Sequence, residues 1–89
     1  MKAIVTVVGQ DRVGIIAGVC TALAEFNVNV LDISQTVMQG YFTMMMAVEV
    51  SECTIPLAQL CDAMEEAGKE MGLSIKVQRE DIFQAMHRI

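Results

Sequence analysis

The order of strand-like and helix-like periodicities along the chain constrains its fold more than any other feature of the sequence. β-Branched or alternating apolar residues fill four short segments, whereas apolar residues recur every three or four positions in two longer segments. The short segments predict strands and the longer ones predict helices. The predicted strands are residues 2–8, 28–39, 41–50 and 73–79, and the predicted helices are residues 13–26 and 56–71.

This order, β-α-β-β-α-β, contains one hairpin and two helical crossovers. Gln39 and Gly40 separate the second and third strands and predict a tight hairpin turn. Because crossovers within one sheet share a hand, both helices fall on the same side. We therefore predict an α+β, ferredoxin-like fold, with a four-stranded antiparallel sheet and two helices on one face. Residues 28–39 and 73–79 are predicted to form the sheet edges.

Apolar side chains predict which face of each element is buried. In the first helix, the apolar stripe consists of Ile16, Val19, Cys20 and Leu23. Alternation predicts a buried face for the second and third strands, made by Leu31, Ile33, Val37, Met44 and Met46. Met45 falls on the opposite face of the sheet, where Ile4 and Ala47 make a second apolar surface. Such surfaces mark interfaces when nothing in the same chain covers them.

Hydrophobic residues make up 54% of the 89 residues, which is more apolar material than one small core needs. A domain of this size leaves much of its surface in water and is only marginally stable alone. A partner subunit is the simplest place to bury the excess apolar surface. We therefore predict that the chain forms a homodimer.

The charge pattern excludes several classes of partner. The formal net charge is −5, the 6 basic residues are scattered, and aromatic residues make up 4% of the chain. Nucleic-acid modules need a basic surface for phosphates and aromatic platforms for bases. The longest uncharged stretch, residues 13–24, is too short to cross a bilayer, and the amino-terminal residues do not match a signal peptide. We expect neither nucleic acid nor a membrane as a partner.

The cysteine and histidine pattern favours a cytoplasmic protein without a metal. The 3 cysteines are odd in number and not closely spaced, which is typical of a reducing compartment. Cys20 and Cys61 fall on apolar helix faces, where thiols pack as small apolar groups. The single His87 has no clustered ligands near it in the sequence. We expect no metal, no cofactor and no catalytic residue.

Residues 80–89 follow the last predicted strand and carry four large apolar side chains. Ile82, Met86 and Ile89 fall on one helical face, and Phe83 lies beside them. A segment this apolar is not typical of a solvated tail. We predict a short docked helix or turn that covers the open face of the sheet or packs on a partner.

Several motifs identify a family resemblance. They are D-R-V-G at Asp11–Gly14, A-L-A-E-F-N at the end of the first helix, and N-V-N-V-L-D-I-S-Q from Asn27 to Gln35. This first half resembles ACT domains of the glycine cleavage repressor-like kind. The carboxyl-terminal Q-R-E-D-I-F-Q-A-M-H-R-I resembles stand-alone ACT proteins of the UPF0237 group. The resemblance implies one ACT domain over residues 1–89, with a core at 1–79 and a tail at 80–89.

By that resemblance, the chain is a regulatory module and not an enzyme, and it binds an amino acid between two domains. The implied contact residues are Gly9, Gln10, Asp11, Arg12, Val13, Gly14, Ile15, Asn27, Val28, Asn29 and Val30. Many ACT sequences have proline where this chain has Val13. We expect no catalytic or DNA-binding domain beside the ACT domain within these 89 residues, so the resemblance does not indicate how ligand binding is read out.

The chemistry of the first turn supports a ligand site independently. A helix amino terminus exposes unpaired N–H groups and a partial positive charge, which attract a carboxylate. Gly9 and Gly14 permit close approach of a ligand because they lack Cβ, although Gly14 alternatively permits helix–strand packing. Asp11 is predicted to cap the helix and alternatively accepts a ligand ammonium. Asn27 either presents its amide to a ligand or ends the helix in a left-handed conformation.

Two other functions remain open from the sequence. A protein–protein interaction module without a small ligand would use the unpaired edge strands to extend a partner sheet. A small acylphosphatase-like hydrolase would use Arg12 as an anion cradle and Asn29 to orient water. The sequence lacks the glycine-rich phosphate loop that such a hydrolase needs, which disfavours this third reading.

Overall fold

The computed structural model describes residues 1–81, and its elements follow the predicted order. The strands are β1 (Lys2–Gln10), β2 (Asn29–Met38), β3 (Tyr41–Glu49) and β4 (Ser74–Arg79), and the helices are α1 (Ile15–Glu25) and α2 (Leu57–Met71). The strands form one sheet in the order β2-β3-β1-β4, and all neighbouring strands are antiparallel. The ferredoxin-like prediction is confirmed, with β2 and β4 at the edges.

One face of the sheet packs against both helices and forms the core. Val5 and Val7 of β1 lie directly opposite Met46 and Met44 of β3, and all four side chains are fully buried. The helices cover this face with the buried residues Ile15, Val19, Leu23, Leu60, Met64 and Gly68. Met45 is 38% exposed on the opposite face. The predicted placement of the three methionines is therefore confirmed.

Two sharp reversals occur where the sequence predicts them. Gln39 and Gly40 have positive φ angles of 52° and 82°, as in a two-residue type I′ hairpin. Gly72 ends α2 with a φ of 70°, and its N–H donates a hydrogen bond to the carbonyl of Lys69. Both turn predictions are confirmed.

The buried face predicted for the second strand is wrong. Leu31, Ile33 and Val37 of β2 are 47%, 39% and 54% exposed. The register shifts between Val30 and Asp32, so Leu31 sits in a β-bulge that interrupts the alternation. Beyond the bulge, Ile33 lies opposite Met46 and faces the helices' side, but neither helix extends over the outer edge of β2. In the part of the chain that the structure describes, the outer edge of β2 is therefore apolar and pairs with no other strand.

Two further observations bear on the sequence predictions. No helix within residues 1–81 is both long enough and apolar enough to span a bilayer. The predicted apolar tail falls mainly on residues 82–89, which lie outside the described residues. The docked tail therefore stays a prediction.

Gly68 lets α2 pack closely against the start of β4, and its replacement tests that contact. A Cβ atom at Gly68 would lie 2.8 Å from the carbonyl oxygen of Leu73 and 3.0 Å from Cγ1 of Ile75. We expect Gly68→Ala to lower the free energy of unfolding by about 1–3 kcal/mol, because the backbone must move to make room. Urea unfolding measures the loss.

Gly18→Ala in α1 is the matched control for this prediction. A Cβ atom at Gly18 would lie 2.8 Å from Sδ of Met71, at the end of a flexible side chain that can turn away. Alanine is favoured over glycine within a helix by about 1 kcal/mol, which offsets the adjustment. Equal losses for the two variants would contradict a special role for Gly68 at the helix–sheet contact.

Candidate functional site

The turn between β1 and α1 lies against the β2–β3 hairpin. β1 extends to Gln10, which pairs with Tyr41 at the start of β3. The next N–H, that of Asp11, donates a 2.9 Å hydrogen bond to the carbonyl of Gly40. The hairpin therefore fixes where the turn begins and brings the start of α1 beside the end of β2.

Gly14, not Asp11, occupies the amino-terminal cap of α1. Gly14 has a φ of 90° and a ψ of 1°, which is left-handed backbone that favours glycine. No atom of residues 1–81 lies within 4 Å of the position a Cβ would take, so Gly14 does not serve to pack the helix on a strand. The prediction that Asp11 caps the helix is wrong, because β1 runs two residues further than predicted and holds Asp11 at the hairpin.

The amino terminus of α1 is free to receive an anion. No side chain within residues 1–81 caps the helix, and its first turn carries no acidic residue. The N–H groups of a first helical turn have no acceptor within the helix. Together with the helix dipole, they attract a carboxylate or phosphate.

A groove of about 360 Å³ lies beside this helix terminus. Its lining combines the turn, the first turn of α1 and the end of β2, with the residues Asp11, Arg12, Gly14, Ile15, Ile16, Ala17, Gln35, Val37 and Phe42. Phe42 is 4% exposed and forms an apolar floor, whereas Arg12 and Asp11 are exposed charges at the rim. The groove can therefore hold a small molecule that carries an anionic group beside an apolar group.

Two predicted contact residues of the turn have other surroundings. Gly9 packs on the side chain of Leu73, which a Cβ atom at Gly9 would overlap, so its small size serves the core. Val13 is fully exposed and is not among the residues that line the groove. Of the predicted stretch from Gly9 to Ile15, the residues that line the groove are Asp11, Arg12, Gly14 and Ile15.

The second predicted group of site residues lies at the other end of the sheet. Asn29 pairs with Glu49, which in turn pairs with Lys2 at the start of β1. The groove lies beyond Gln10 at the end of β1, about 25 Å away at about 3.3 Å per residue. Within one chain, the structure does not bring Asn29 together with the turn before α1.

Asn27, Val28 and Val30 also have defined structural surroundings. Asn27 has a φ of 60°, and its Nδ2 donates a 3.0 Å hydrogen bond to the carbonyl of Glu52. The left-handed helix stop is therefore the conformation that Asn27 adopts. Val28 is 6% exposed and belongs to the core, and Val30 is half-buried. Of the group from Asn27 to Val30, Asn29 has the exposed amide that is best placed to meet another molecule.

Electrostatic shifts near these residues do not create an activated group. At the Asn29 end, hydrogen bonds from the Met1 amino group, 2.6 Å from Oε2, and from Ser51 lower the pKa of Glu49. In the core, burial raises the pKa of the Cys61 thiol, which donates to the carbonyl of Val77 at 3.2 Å. A thiol held protonated in this way is a poor nucleophile.

The structure also bears on metal and hydrolase chemistry. Within residues 1–81, no three histidine, cysteine or acidic side chains form a cluster that could hold a metal ion. An acylphosphatase-like site would need Arg12 and Asn29 around one substrate, but they lie at opposite ends of β2 in the same chain. The single chain therefore does not provide the cradle that this hydrolase hypothesis requires.

Sequence reasoning missed the groove residues of the second and third strands. Gln35, Val37 and Phe42 line the groove because the hairpin places them beside the turn before α1. Counting back from the Gln39-Gly40 turn would have paired Val37 with Phe42. This register, rather than any motif, was the available signal.

Comparison with known proteins identifies the family of the chain. A family model described as the ACT domain matches residues 2–78. The chain belongs to the ACT domain family. The family resemblance predicted from the sequence is therefore confirmed. ACT domains are generally regulatory domains that bind small molecules.

Individual relatives of this ACT domain extend the comparison. It is 52% identical over 89 residues to a UPF0237 protein from Clostridium acetobutylicum, covering 100% of both chains. It is similar to the solved structure of an ACT domain protein from Streptococcus pneumoniae, with 45% identity, a TM-score of 0.83 and 97% of both chains covered. A formyltetrahydrofolate deformylase from Pseudomonas syringae pv. tomato has a TM-score of 0.78 at 22% identity, with 88% of this chain and 27% of the deformylase covered. That last likeness concerns the fold alone.

Replacement of Gly14 tests the backbone of the turn. We expect Gly14→Ala to lower the free energy of unfolding by about 1 kcal/mol, because its φ of 90° strains a residue with a Cβ even though the space is open. Gly14→Asn should lose less, since asparagine tolerates left-handed backbone. Urea unfolding compares the variants, and an unchanged stability for Gly14→Ala would contradict the assigned strain.

Proposed function

We propose that this ACT domain acts as a homodimer that binds an amino acid at two equivalent sites, each shared between the two copies. The observation that carries the proposal is the separation of the predicted site into two halves. The groove beside Gly14 lies at one end of β2, and Asn29 lies at the other. A second copy supplies the missing half of each site.

The edge of β2 supports pairing with a second copy. β2 has ten residues, and among residues 1–81 only β3 pairs with it. Exposed strand edges readily pair with another strand, and soluble proteins usually protect them. Here the edge instead carries exposed Leu31, Ile33 and Val37. Antiparallel pairing of the two β2 strands would join both sheets and bury these side chains.

The symmetry of such a dimer assembles the site. Homodimers are most often two-fold symmetric, so each copy contributes the same surface. An axis near Ile33, midway between Asn29 and Val37, places Asn29 of the second copy beside Val37 of the first. Val37 lines the groove next to Gly14. The two distant halves of the predicted site then meet twice in each dimer.

The lining of the groove favours an amino acid with an uncharged side chain. The uncapped amino terminus of α1 and Arg12 provide a place for the α-carboxylate. The carboxylate of Asp11 and the amide oxygen of Asn29 of the second copy accept hydrogen bonds from the α-ammonium. Phe42 and Val37 offer apolar contacts to the side chain.

Regulation follows from the shared site. A ligand that touches both copies binds the dimer and not the monomer, so it shifts the equilibrium toward the dimer. This function needs no reacting group, in keeping with a regulatory role. The three free cysteines support a reducing, cytoplasmic location.

A charge at the centre of the β2 edge tests the dimer. We expect the wild-type chain to have about twice the 9.7 kDa monomer mass in light scattering. Ile33→Lys places two like charges near the proposed two-fold axis and should give the monomer mass. Gln59→Lys, on the exposed face of α2, is the matched control and should remain dimeric. A monomeric wild-type protein, or a dimeric Ile33→Lys variant, would contradict the proposed interface.

Mixed dimers test whether each site is shared. Gly14→Val obstructs the groove of its own copy, and Asn29→Ala removes the amide that reaches the other copy. Each variant alone should show no binding heat when the common amino acids are titrated. In an equimolar mixture, one site in each mixed dimer is intact, so about one quarter of the sites should recover.

Two outcomes of this titration would overturn the proposal. Undiminished binding by the Asn29→Ala homodimer would place the site within one copy. No heat from any amino acid with the wild-type dimer would instead favour an interaction module without a small ligand. Circular dichroism of both variants verifies that they remain folded.

A further inference from the structure

Among residues 1–81, one uncharged polar side chain lines the groove beside Gly14, that of Gln35. Gln35 lies directly opposite Met44 in the β2–β3 pairing, and Met44 is fully buried in the core. Because paired residues share a face of the sheet, the Gln35 side chain also lies on the side of the helices. Val37 lies on the same side of β2, two residues closer to the hairpin. Gln35 therefore lies about 7 Å further from the hairpin than Val37 does.

The lining around Gln35 is otherwise apolar. The charged residues of the groove, Asp11 and Arg12, are at its rim in the turn before α1. The remaining side chains are those of Ile15, Ile16, Ala17, Val37 and Phe42. In the part of the chain that the structure describes, the Gln35 amide has no hydrogen-bond partner. Its donor and acceptor are therefore available to another molecule.

The second copy in the proposed dimer would take water away from Gln35. The axis near Ile33 that brings Asn29 of the second copy beside Val37 also brings Leu31 of the second copy beside Gln35. A leucine side chain offers an amide neither a donor nor an acceptor. An amide that loses water without gaining a partner weakens binding, whereas an amide that bonds the ligand does not. The ligand is then the group that has to satisfy Gln35.

These surroundings select among amino-acid side chains. A charged side chain would find no opposite charge beyond the rim, where Asp11 and Arg12 meet the α-ammonium and the α-carboxylate. An aliphatic side chain would leave the Gln35 amide without a partner. A hydroxyl or an amide can donate to Oε1 of Gln35 and accept from its Nε2. The groove of about 360 Å³ is near the lower end of the range for ligand pockets, which favours a short side chain.

We propose that Gln35 selects amino acids whose uncharged side chain ends in a hydroxyl or an amide, and rejects aliphatic side chains of the same shape. Gln35 is then the residue that determines ligand specificity. This inference rests on the proposed amino-acid site and adds the class of ligand to it.

Calorimetric titration of the wild-type dimer with pairs of similarly shaped amino acids tests the selection. Threonine has a hydroxyl where valine has a methyl group, and asparagine has an amide where leucine has an isopropyl group. We expect the polar member of at least one pair to bind about tenfold more tightly, because its aliphatic counterpart leaves Gln35 unsatisfied. The pair with the larger difference identifies the preferred group as the hydroxyl or the amide.

Replacement of Gln35 assigns the selection to this residue. Gln35→Leu removes the amide and keeps a side chain of similar size, so the two members of each pair should bind with affinities within about twofold. Ser34→Ala is the matched control, because Ser34 is the neighbouring exposed residue on the opposite face of β2. This variant should keep the wild-type ratio. Light scattering verifies that both variants remain dimeric.

The outcomes separate this inference from the amino-acid site on which it rests. No binding heat from any amino acid would overturn the site and the inference together. Valine and leucine that bind as tightly as threonine and asparagine would overturn the inference alone and leave an amino-acid site in place. An unchanged ratio in Gln35→Leu, or equal loss of both members of a pair, would also overturn the role assigned to Gln35.

Discussion

The pairing of β1 on both sides is the constraint on which the rest of the structure depends. Val5 lies between Met46 of β3 and Val77 of β4, and all three side chains are buried on the face toward the helices. A slip of one residue in either pairing would move every buried side chain of that strand to the opposite face. Burial therefore fixes the register, and the register fixes where each strand ends.

The candidate site follows from where β1 and β2 end. The first crossover makes β2 parallel to β1, so both strands finish at the same end of the sheet. The turn before α1 therefore starts at that end of the sheet, next to Val37 and the hairpin. By the same geometry, Asn29 lies at the opposite end of the sheet, level with Lys2. The topology itself separates the two halves of the predicted site.

Much of this fold could be read from the sequence because local periodicity carries it. The element order, the Gln39-Gly40 turn and the opposed methionines depend only on alternation and on residues suited to positive φ. The buried face of β2 could not be read in this way. Alternation does not reveal whether a helix covers a strand, and the bulge at Leu31 changes which residues share a face. The prediction that Asp11 caps α1 was wrong for a related reason, because a tertiary hydrogen bond from its N–H to the carbonyl of Gly40 holds Asp11 at the hairpin.

Apolar side chains are exposed on two surfaces of the sheet, namely the face opposite the helices and the outer edge of β2. The face of the sheet opposite the helices exposes apolar side chains of the two inner strands, among them Val8, Tyr41 and Met45. Within residues 1–81, the outer edge of β2 combines exposed apolar residues with backbone groups that no strand pairs, and apolar contact alone does not satisfy such groups. Only another strand offers both a backbone ladder and apolar contacts, and a second copy provides such a strand in a self-complementary way. Because the edge ends at the groove beside Gly14, dimer formation and ligand binding would involve one continuous surface. A ligand present at about 100 times its dissociation constant would then stabilise the dimer by about 2.7 kcal/mol per site, enough for a small domain to convert ligand concentration into a change of assembly.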